Sequence, residues 1–354
     1  MKKEYELILK TILINKSEDE EVEVTKLLEN DLDWREIAGV LLSHRLSGYF
    51  YMGLSDEQKK FIPKEIREGL KLIVVAQKIQ QKNINSVINE INKQLEKTGI
   101  RYAFLKGSFY GCKMYEPGVR RSNDIDLLVY EKDLEKLDEI MRKLGYIQSN
   151  MPDGRIVEAS KREKLIQRMN YHDLVPYVKQ HEFGCVEFDI NFLFDGKDNP
   201  IDLQVYQYGT QEYSGNKCTI IGLNPYTNLA FLCIHFYREA TNTIWTEDKR
   251  DLVLYKIADM INYIRLYANE LELHKLMKIF KDLNISNKAY FTFKILEEFY
   301  YNQFIEEILG LLSGVIDDEN FMKEIYDHRN KVTIYRNESF CEAAYNVNHI
   351  NSID

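Results

Sequence analysis

Two aspartates interrupt an apolar, strand-like segment in the first half of the chain. Residues 124–129 read Asp-Ile-Asp-Leu-Leu-Val, and successive side chains of a β-strand alternate between its two faces. Asp124 and Asp126 therefore share one face, whereas Ile125 and Leu127 share the other. Burying a carboxylate without a compensating cation is costly. The segment therefore requires a metal ion or a basic partner beside the two acids.

A glycine-containing turn precedes this strand. A short apolar run, Tyr102 to Leu105, ends at Lys106-Gly107-Ser108. Glycine lets the backbone approach a phosphate closely. The N–H groups that follow it, the Ser108 hydroxyl and the start of a helix can all bind that phosphate. Magnesium usually takes one or two carboxylates together with substrate phosphates, so the turn and the acidic strand predict one joint site.

The arrangement of Gly-Ser after one strand and Asp-Ile-Asp in the next resembles the signature of the DNA polymerase beta-like nucleotidyltransferase superfamily. It is similar in particular to a bacterial group of uncharacterised nucleotidyltransferases, and the similarity extends to DWREIAGVLLSHRLSGYFYMGL in the N-terminal part. The resemblance implies an α+β fold, in which a small mixed-sheet core is flanked by N-terminal and C-terminal helical subdomains. The residues that carry it are Leu105-Lys106-Gly107, Tyr115, Pro117-Gly118, Arg120 and Asp124 to Val129.

A third carboxylate comes from a later strand. Residues 172–178 and 184–192 are strand-like and predict a hairpin, in which Glu187, Asp189 and Asn191 share one face. The family pattern here is an acid followed two residues later by His and then an aromatic residue. Asp189 fits that pattern, with Asn191 where His is usual, and this departure removes any histidine role. We prefer Asp189 as the third carboxylate, and Glu187 on the same face remains the alternative.

Helical periodicity divides the rest of the chain. We expect a helical N-terminal subdomain at 1–98, the nucleotidyltransferase core at 99–221 and a helical C-terminal subdomain at 222–354, with a polar tail after about Arg336. Residues 147–170 are polar and basic, which fits either a flap over the phosphates or a solvated segment. His44, on an apolar helix, is expected to be a packing residue.

The resemblance also places a helix with a Lys-x-x-Asp pair beside the cleft. Lys256 and Asp259 form that pair in this sequence. Lys256 would reach the triphosphate. The alternative is a surface ion pair between residues one helical turn apart, worth a few tenths of a kcal/mol.

Composition excludes several other classes of protein. The net charge of −9 argues against a large nucleic-acid surface. The five cysteines have no Cys-x-x-Cys spacing and favour reduced, mostly buried thiols. Glu4 and Glu6 interrupt the apolar residues after Met-Lys-Lys, so no signal peptide is expected. No apolar run approaches the roughly 18 residues of a membrane span. We expect a cytoplasmic protein without a membrane partner.

The resemblance implies a chemistry and its residues. The protein would move a nucleoside monophosphate from a nucleoside triphosphate, such as ATP, to an acceptor hydroxyl and release pyrophosphate. Asp124, Asp126 and Asp189 would be the catalytic residues and would hold two Mg²⁺ ions, with Mn²⁺ as the alternative metal. The triphosphate would lie against Lys106, Gly107, Ser108, Arg120 and Lys256.

Other functions are compatible with the same residues. The acceptor is expected to be a small molecule, and a tRNA 3′ end or a protein side chain, as in toxin-like relatives, ranks lower. A kinase on the same fold and a non-catalytic nucleotide-binding regulatory partner are two further functions. In a purely structural role, Asp124 and Asp126 would pair with Arg120 and Arg121. The sequence does not identify the acceptor, the base or the oligomeric state.

Overall fold

The computed structural model describes residues 1–122, 124–201, 208–316, 318–327 and 329–346. It confirms the α+β class. Two compact units are present, one made of Met1–Val74 with Leu232–Asp354 and the other of Val75–Phe231. Among the described residues, no helix combines the length and the apolar character that crossing a bilayer requires.

Helices dominate both ends of the chain, as the periodicity predicts. The helices of the described residues are α1 Lys3–Thr11, α2 Glu18–Leu28, α3 Trp34–Ser43, α4 Ser47–Met52, α5 Lys64–Glu96, α6 Lys106–Phe109, α7 Leu134–Lys143, α8 Lys161–Asn170, α9 Pro225–Ala240, α10 Thr243–Glu247, α11 Leu254–Tyr267, α12 Leu273–Asp282, α13 Ser286–Phe299, α14 Gln303–Ser313 and α15 Phe340–Tyr345.

The second unit contains a mixed sheet with the strand order β3-β4-β5-β2-β1-β7-β6. Strands β2 and β5 are parallel, as are β1 and β7, and the other neighbouring pairs are antiparallel. This sheet is the mixed core that the sequence predicts. Its strands are β1 Tyr102–Phe104, β2 Asp124–Val129, β3 Ile147–Gln148, β4 Tyr177–His181, β5 Gly184–Asn191, β6 Thr210–Gly215 and β7 Cys218–Leu223.

Alternation along β2 and β5 fixes which face of the sheet is apolar. Ile125 and Leu127 in β2, and Phe188 and Ile190 in β5, are fully buried. Because the side-chain period of a strand is two, burying these residues turns the intervening acids to the opposite face. The hydrophobic pattern therefore sets the direction in which the carboxylates point.

The N-terminal part is helical, as expected. Asp33 is the N-cap of α3, and its side chain accepts hydrogen bonds from the N–H groups of Arg35 and Glu36. The helix α5 is continuous from Lys64 to Glu96. The Nδ1 atom of half-buried His44 accepts a hydrogen bond from the N–H of Leu254 at 3.1 Å, which is consistent with a packing role.

The C-terminal prediction was wrong in one place. Beyond Leu271 the chain was expected to be helical, yet β8 Glu324–Asp327 and β9 Val332–Tyr335 form an antiparallel hairpin. Ile325 is buried, and the Asp327 side chain accepts from the N–H groups of the turn. This local turn chemistry outweighs helix propensity. The part of the expected polar tail at 347–354 lies outside the described residues.

Candidate active site

The parallel pairing of β2 with β5 brings the acids together. Asp126 lies directly opposite Asp189, and Asp124 lies directly opposite Glu187. Residues opposite one another on adjacent strands project to the same face of a sheet. The predicted pair and the predicted third carboxylate are thus neighbours, and the alternative, Glu187, belongs to the same cluster.

Burial differs across this carboxylate cluster. Asp126 is only 2% exposed, Asp189 and Glu187 are half-buried, and Asp124 is exposed. The cluster therefore has a closed end at Asp126 and an open end at Asp124, from which a ligand can enter.

Burial and mutual repulsion disfavour the ionised acids. Burial raises the pKa of Asp126 to about 6, an increase limited by the nearby Lys106 ammonium. Burial first, and then the charges of Asp126 and Asp124, raise the pKa of Asp189 to about 8. The pKa of Glu187 is raised by burial and by the same two charges. The cluster consequently favours an added cation.

Lys106 provides positive charge at the closed end. Its Nζ atom lies 2.6 Å from Oδ1 of Asp126. The residue has a left-handed backbone, with φ at +40°. The backbone N–H of Leu105 also donates to the carbonyl of Asp126 at 3.0 Å, which holds the two chain segments together. Lys106 is therefore positioned beside the acids as well as beside the predicted phosphate loop.

The predicted phosphate loop begins a helix that continues through a π-helical turn at Tyr110–Met114. The N–H of Ser108 donates to the carbonyl of Leu105, so this donor is used by the turn itself. The Ser108 hydroxyl, by contrast, is buried and makes no hydrogen bond to any part of the chain that the structure describes. A buried polar group without a partner is uncommon in folded proteins, and a phosphate oxygen would satisfy it.

Arg120 lies over the glycine of the loop. Its guanidinium is 4.8 Å from the centre of the Tyr110 ring and donates to the Ser122 hydroxyl at 3.1 Å. Sequence reasoning missed Ser122 and Tyr110. The position of Ser122, two residues before Asp124 in the sequence, was a signal that could have indicated its place in the site.

A side chain at position 107 would disturb this arrangement. A Cβ atom there would lie 3.1 Å from the Ser122 hydroxyl and 3.2 Å from a guanidinium nitrogen of Arg120. For Gly107→Ala we expect a roughly tenfold loss of triphosphate affinity, the equivalent of one hydrogen bond, because Arg120 must move. Isothermal titration calorimetry with ATP, CTP, GTP and UTP would measure the loss.

Gly39→Ala is the matched control for this substitution. Gly39 lies within α3, and a Cβ atom there would have no neighbour within 4 Å. We expect the control to bind nucleotide as the wild type does. Unchanged affinity in Gly107→Ala would contradict a phosphate role for this turn.

Lys256 contacts residues of its own unit. In α11 its ammonium contacts the carboxylate of Glu239 and donates to the carbonyl of Arg250 at 2.7 Å. Asp259 is buried and accepts a hydrogen bond from the Tyr49 hydroxyl at 2.6 Å. The alternative of a surface ion pair between Lys256 and Asp259 was therefore wrong. Contact of Lys256 with a triphosphate stays a prediction.

The basic segment expected to be a flap or a solvated element contains α8. None of the residues of α8 is buried, and a capping box formed by Ser160 and Glu163 fixes the start of this helix. Arg168 pairs with Glu131, and Gln167 donates to Asp173. These contacts fit the solvated alternative.

The residues present suit a hard divalent cation. Carboxylate oxygens are the ligands that Mg²⁺ prefers, and the raised pKa values indicate a deficit of positive charge in the cluster. Within the described residues, no group of three or more His, Cys, Asp or Glu side chains is already arranged around a common metal position. The donor set thus fits such an ion by the chemistry of its carboxylate oxygens, and not by a finished arrangement around the ion.

One known protein family matches most of the chain. The family described as uncharacterised nucleotidyltransferase matches residues 30–301. No curated protein matches the sequence. The crystal structure of an antigenic nucleotidyltransferase-like protein from Paracoccidioides brasiliensis is 14% identical over 58% of this chain and 91% of that chain. Its TM-score is 0.29, which is too low to support an argument about fold or activity.

Proposed function

The chain belongs to the uncharacterised nucleotidyltransferase family, and from that premise we propose that it moves a nucleoside monophosphate from a nucleoside triphosphate to an acceptor hydroxyl. The observation that carries the proposal is the register of β2 and β5, in which Asp126 lies opposite Asp189. The Gly107-Ser108 turn begins directly after Lys106, which contacts Asp126. A phosphate loop and a carboxylate cluster are thus adjacent.

In this proposal, some residues bind the phosphates and others hold the metal. The Ser108 hydroxyl and the guanidinium of Arg120 would donate to phosphate oxygens, and Lys106 would neutralise part of their charge. Asp124, Asp126 and Asp189 would hold magnesium, or manganese as the alternative. When bound, this metal supplies positive charge against the phosphates and lowers the pKa of the acceptor hydroxyl. Positioning and charge neutralisation account for most of the rate of phosphoryl transfer.

Asp189 is the proposed general base. Asp189 lies opposite Asp126 in the register of the two strands, and a general base has to lie within hydrogen-bond reach of the proton that it takes. The acceptor proton would pass to its carboxylate while the acceptor oxygen bonds to the alpha phosphorus. The bond between that phosphorus and the bridging oxygen of the beta phosphate would break, and pyrophosphate would leave.

A small molecule is the proposed acceptor, since the net charge of −9 disfavours a nucleic-acid surface. The test uses each of the four nucleoside triphosphates labelled at either the alpha or the gamma phosphate, with magnesium. Acceptors would be offered as separate pools of small metabolites, tRNA and protein. Transfer of the alpha label to the metabolite pool supports the proposal. Transfer of the gamma label alone would make the protein a kinase. Transfer of the alpha label to tRNA or to protein would show that the acceptor is that macromolecule and not a small molecule.

Glu187 and Asp189 are separable by substitution. Asp189 faces the buried Asp126, whereas Glu187 faces the exposed Asp124. We expect Asp189→Asn to lower kcat by about 10³-fold and Glu187→Gln by less than about tenfold, because loss of a group acting at the reacting atoms costs far more than loss of a peripheral charge. Initial rates of alpha-label transfer would compare the variants, and the opposite order would make Glu187 the third carboxylate.

A further inference from the structure

The ammonium of Lys106 contacts a carboxylate oxygen of Asp126, one of the proposed metal ligands. Its Nζ atom is 2.6 Å from Oδ1 of Asp126, whose side chain is 3% exposed while that of Lys106 is 20% exposed. A divalent cation on that same oxygen would lie within a few ångströms of the ammonium and would be repelled by it. Metal binding at Oδ1 of Asp126 therefore requires Lys106 to move.

Lys106 has a second anionic partner within reach when a triphosphate is bound. The residue directly precedes Gly107 and begins α6, the segment proposed to hold the terminal phosphates. Its long side chain rotates about several single bonds and is partly exposed. The ammonium can thus pass from the carboxylate to the phosphates by side-chain rotation alone.

We infer that Lys106 is an exchangeable counter-ion: it neutralises Asp126 in the free protein and transfers to the triphosphate when a divalent cation takes its place. This inference rests on the proposed function. A metal ion that binds alone displaces Lys106 into solvent, whereas a metal ion that binds with a triphosphate gives the ammonium a new partner. Metal and triphosphate consequently bind with positive coupling, and linkage makes that coupling reciprocal.

Substitution of Lys106 tests the exchange. In Lys106→Met no ammonium competes with a metal ion for the Asp126 carboxylate, so Mn²⁺ alone should bind at least about tenfold more tightly than it binds the wild type. Tripolyphosphate should bind about tenfold more weakly. The coupling between the two ligands should fall by a similar factor. Calorimetric titrations of MnCl₂, of sodium tripolyphosphate and of each in the presence of the other measure all of these affinities, after correction for metal chelation in solution.

Two further variants serve as controls. Lys106→Arg keeps a cation beside Asp126 and should retain the weak Mn²⁺ binding of the wild type. Lys113 is exposed in the adjoining π-helical turn, so Lys113→Met removes an equal charge close by and should leave every affinity unchanged. Mn²⁺ affinity that rises equally in Lys113→Met would reflect net charge alone and would overturn the exchange.

The remaining outcomes separate this inference from the proposed function. The proposed site is supported if the wild type binds Mn²⁺ together with tripolyphosphate and the Asp124→Asn, Asp126→Asn double variant does not. If Mn²⁺ affinity is then unchanged or lower in Lys106→Met, the exchange alone is overturned. Wild-type protein that binds neither ligand overturns the proposed site and the exchange together.

Discussion

Replacing Asp126 by Asn is expected to reduce nucleotidyl transfer by at least about 10³-fold, since the carboxylate acts where charge develops in the reaction. The neutral amide keeps the shape of the side chain. Burial raises the pKa of Asp126 to about 6 despite the contact with Lys106, so the fold disfavours the ionised form. We therefore expect a midpoint of thermal unfolding at pH 7.5 that equals or exceeds that of the wild type.

Initial rates with alpha-labelled nucleotide and thermal unfolding followed by circular dichroism would measure the two effects. Glu116→Gln, at an exposed position of the same unit, is the control for loss of one negative charge and should keep full activity. A variant that is inactive but at least as stable as the wild type identifies Asp126 as a functional acid. Retention of more than a tenth of the activity would contradict the proposed mechanism.

The stability result also tests the structural alternative. If Asp124 and Asp126 served only to pair with basic neighbours, removing the charge of Asp126 would break a stabilising ion pair, and the variant would unfold at a lower temperature than the wild type. A raised pKa indicates the reverse balance, because a carboxylate that contributed net stability through ion pairing would have a lowered pKa. Pairing of these acids with Arg120 and Arg121 stays the structural alternative that this experiment tests.

The sequence predicted those parts of the site that depend on local periodicity. The faces of β2 and β5 follow from alternation, because one face of each strand is apolar. The placement of Asp189 opposite Asp126 could not be predicted from periodicity, because periodicity does not determine which strands are neighbours. The family pattern supplied that information. It did not show that the same register would also bring Glu187 opposite Asp124.

Features that depend on backbone strain or on distant pairing could not be predicted. Strands β6 and β7 are joined at Asn216-Lys217, where both residues have positive φ, +49° and +59°. A hairpin turn of this kind favours Asn-Gly, so lysine in the second position hides it. Likewise, Lys106 adopts a φ of +40° that a lysine seldom takes, and its contact with Asp126 follows from that backbone.

In the absence of metal, the free energy of unfolding should fall as the pH rises from about 5 to about 8, by on the order of 3 kcal/mol from the carboxylate cluster. The pKa of Asp189 in the folded protein is raised from 3.8 to about 8. Between these values the folded state binds more protons than the unfolded state, so stability decreases with pH. Urea unfolding at a series of pH values would measure the slope.

The comparison with Asp189→Asn isolates this contribution. Acids with lowered pKa, such as Glu158 at about 2, affect stability in the opposite sense at low pH and are common to both proteins. Asn cannot ionise, so the variant should keep only the smaller decline that Asp126 causes with its pKa of about 6, and it should become more stable than the wild type near pH 8. Equal slopes in the two proteins would show that Asp189 ionises freely in the fold.

Magnesium should oppose this decline of stability with pH. A metal ion binds the ionised carboxylates, so its affinity rises as protons leave the cluster. The wild type should therefore gain more stability from magnesium at pH 8 than at pH 6, whereas Asp189→Asn should gain less at pH 8 and show little pH dependence. A magnesium effect that does not vary with pH would place the ion away from these acids. The burial that destabilises the ionised acids would then have no part in holding the metal.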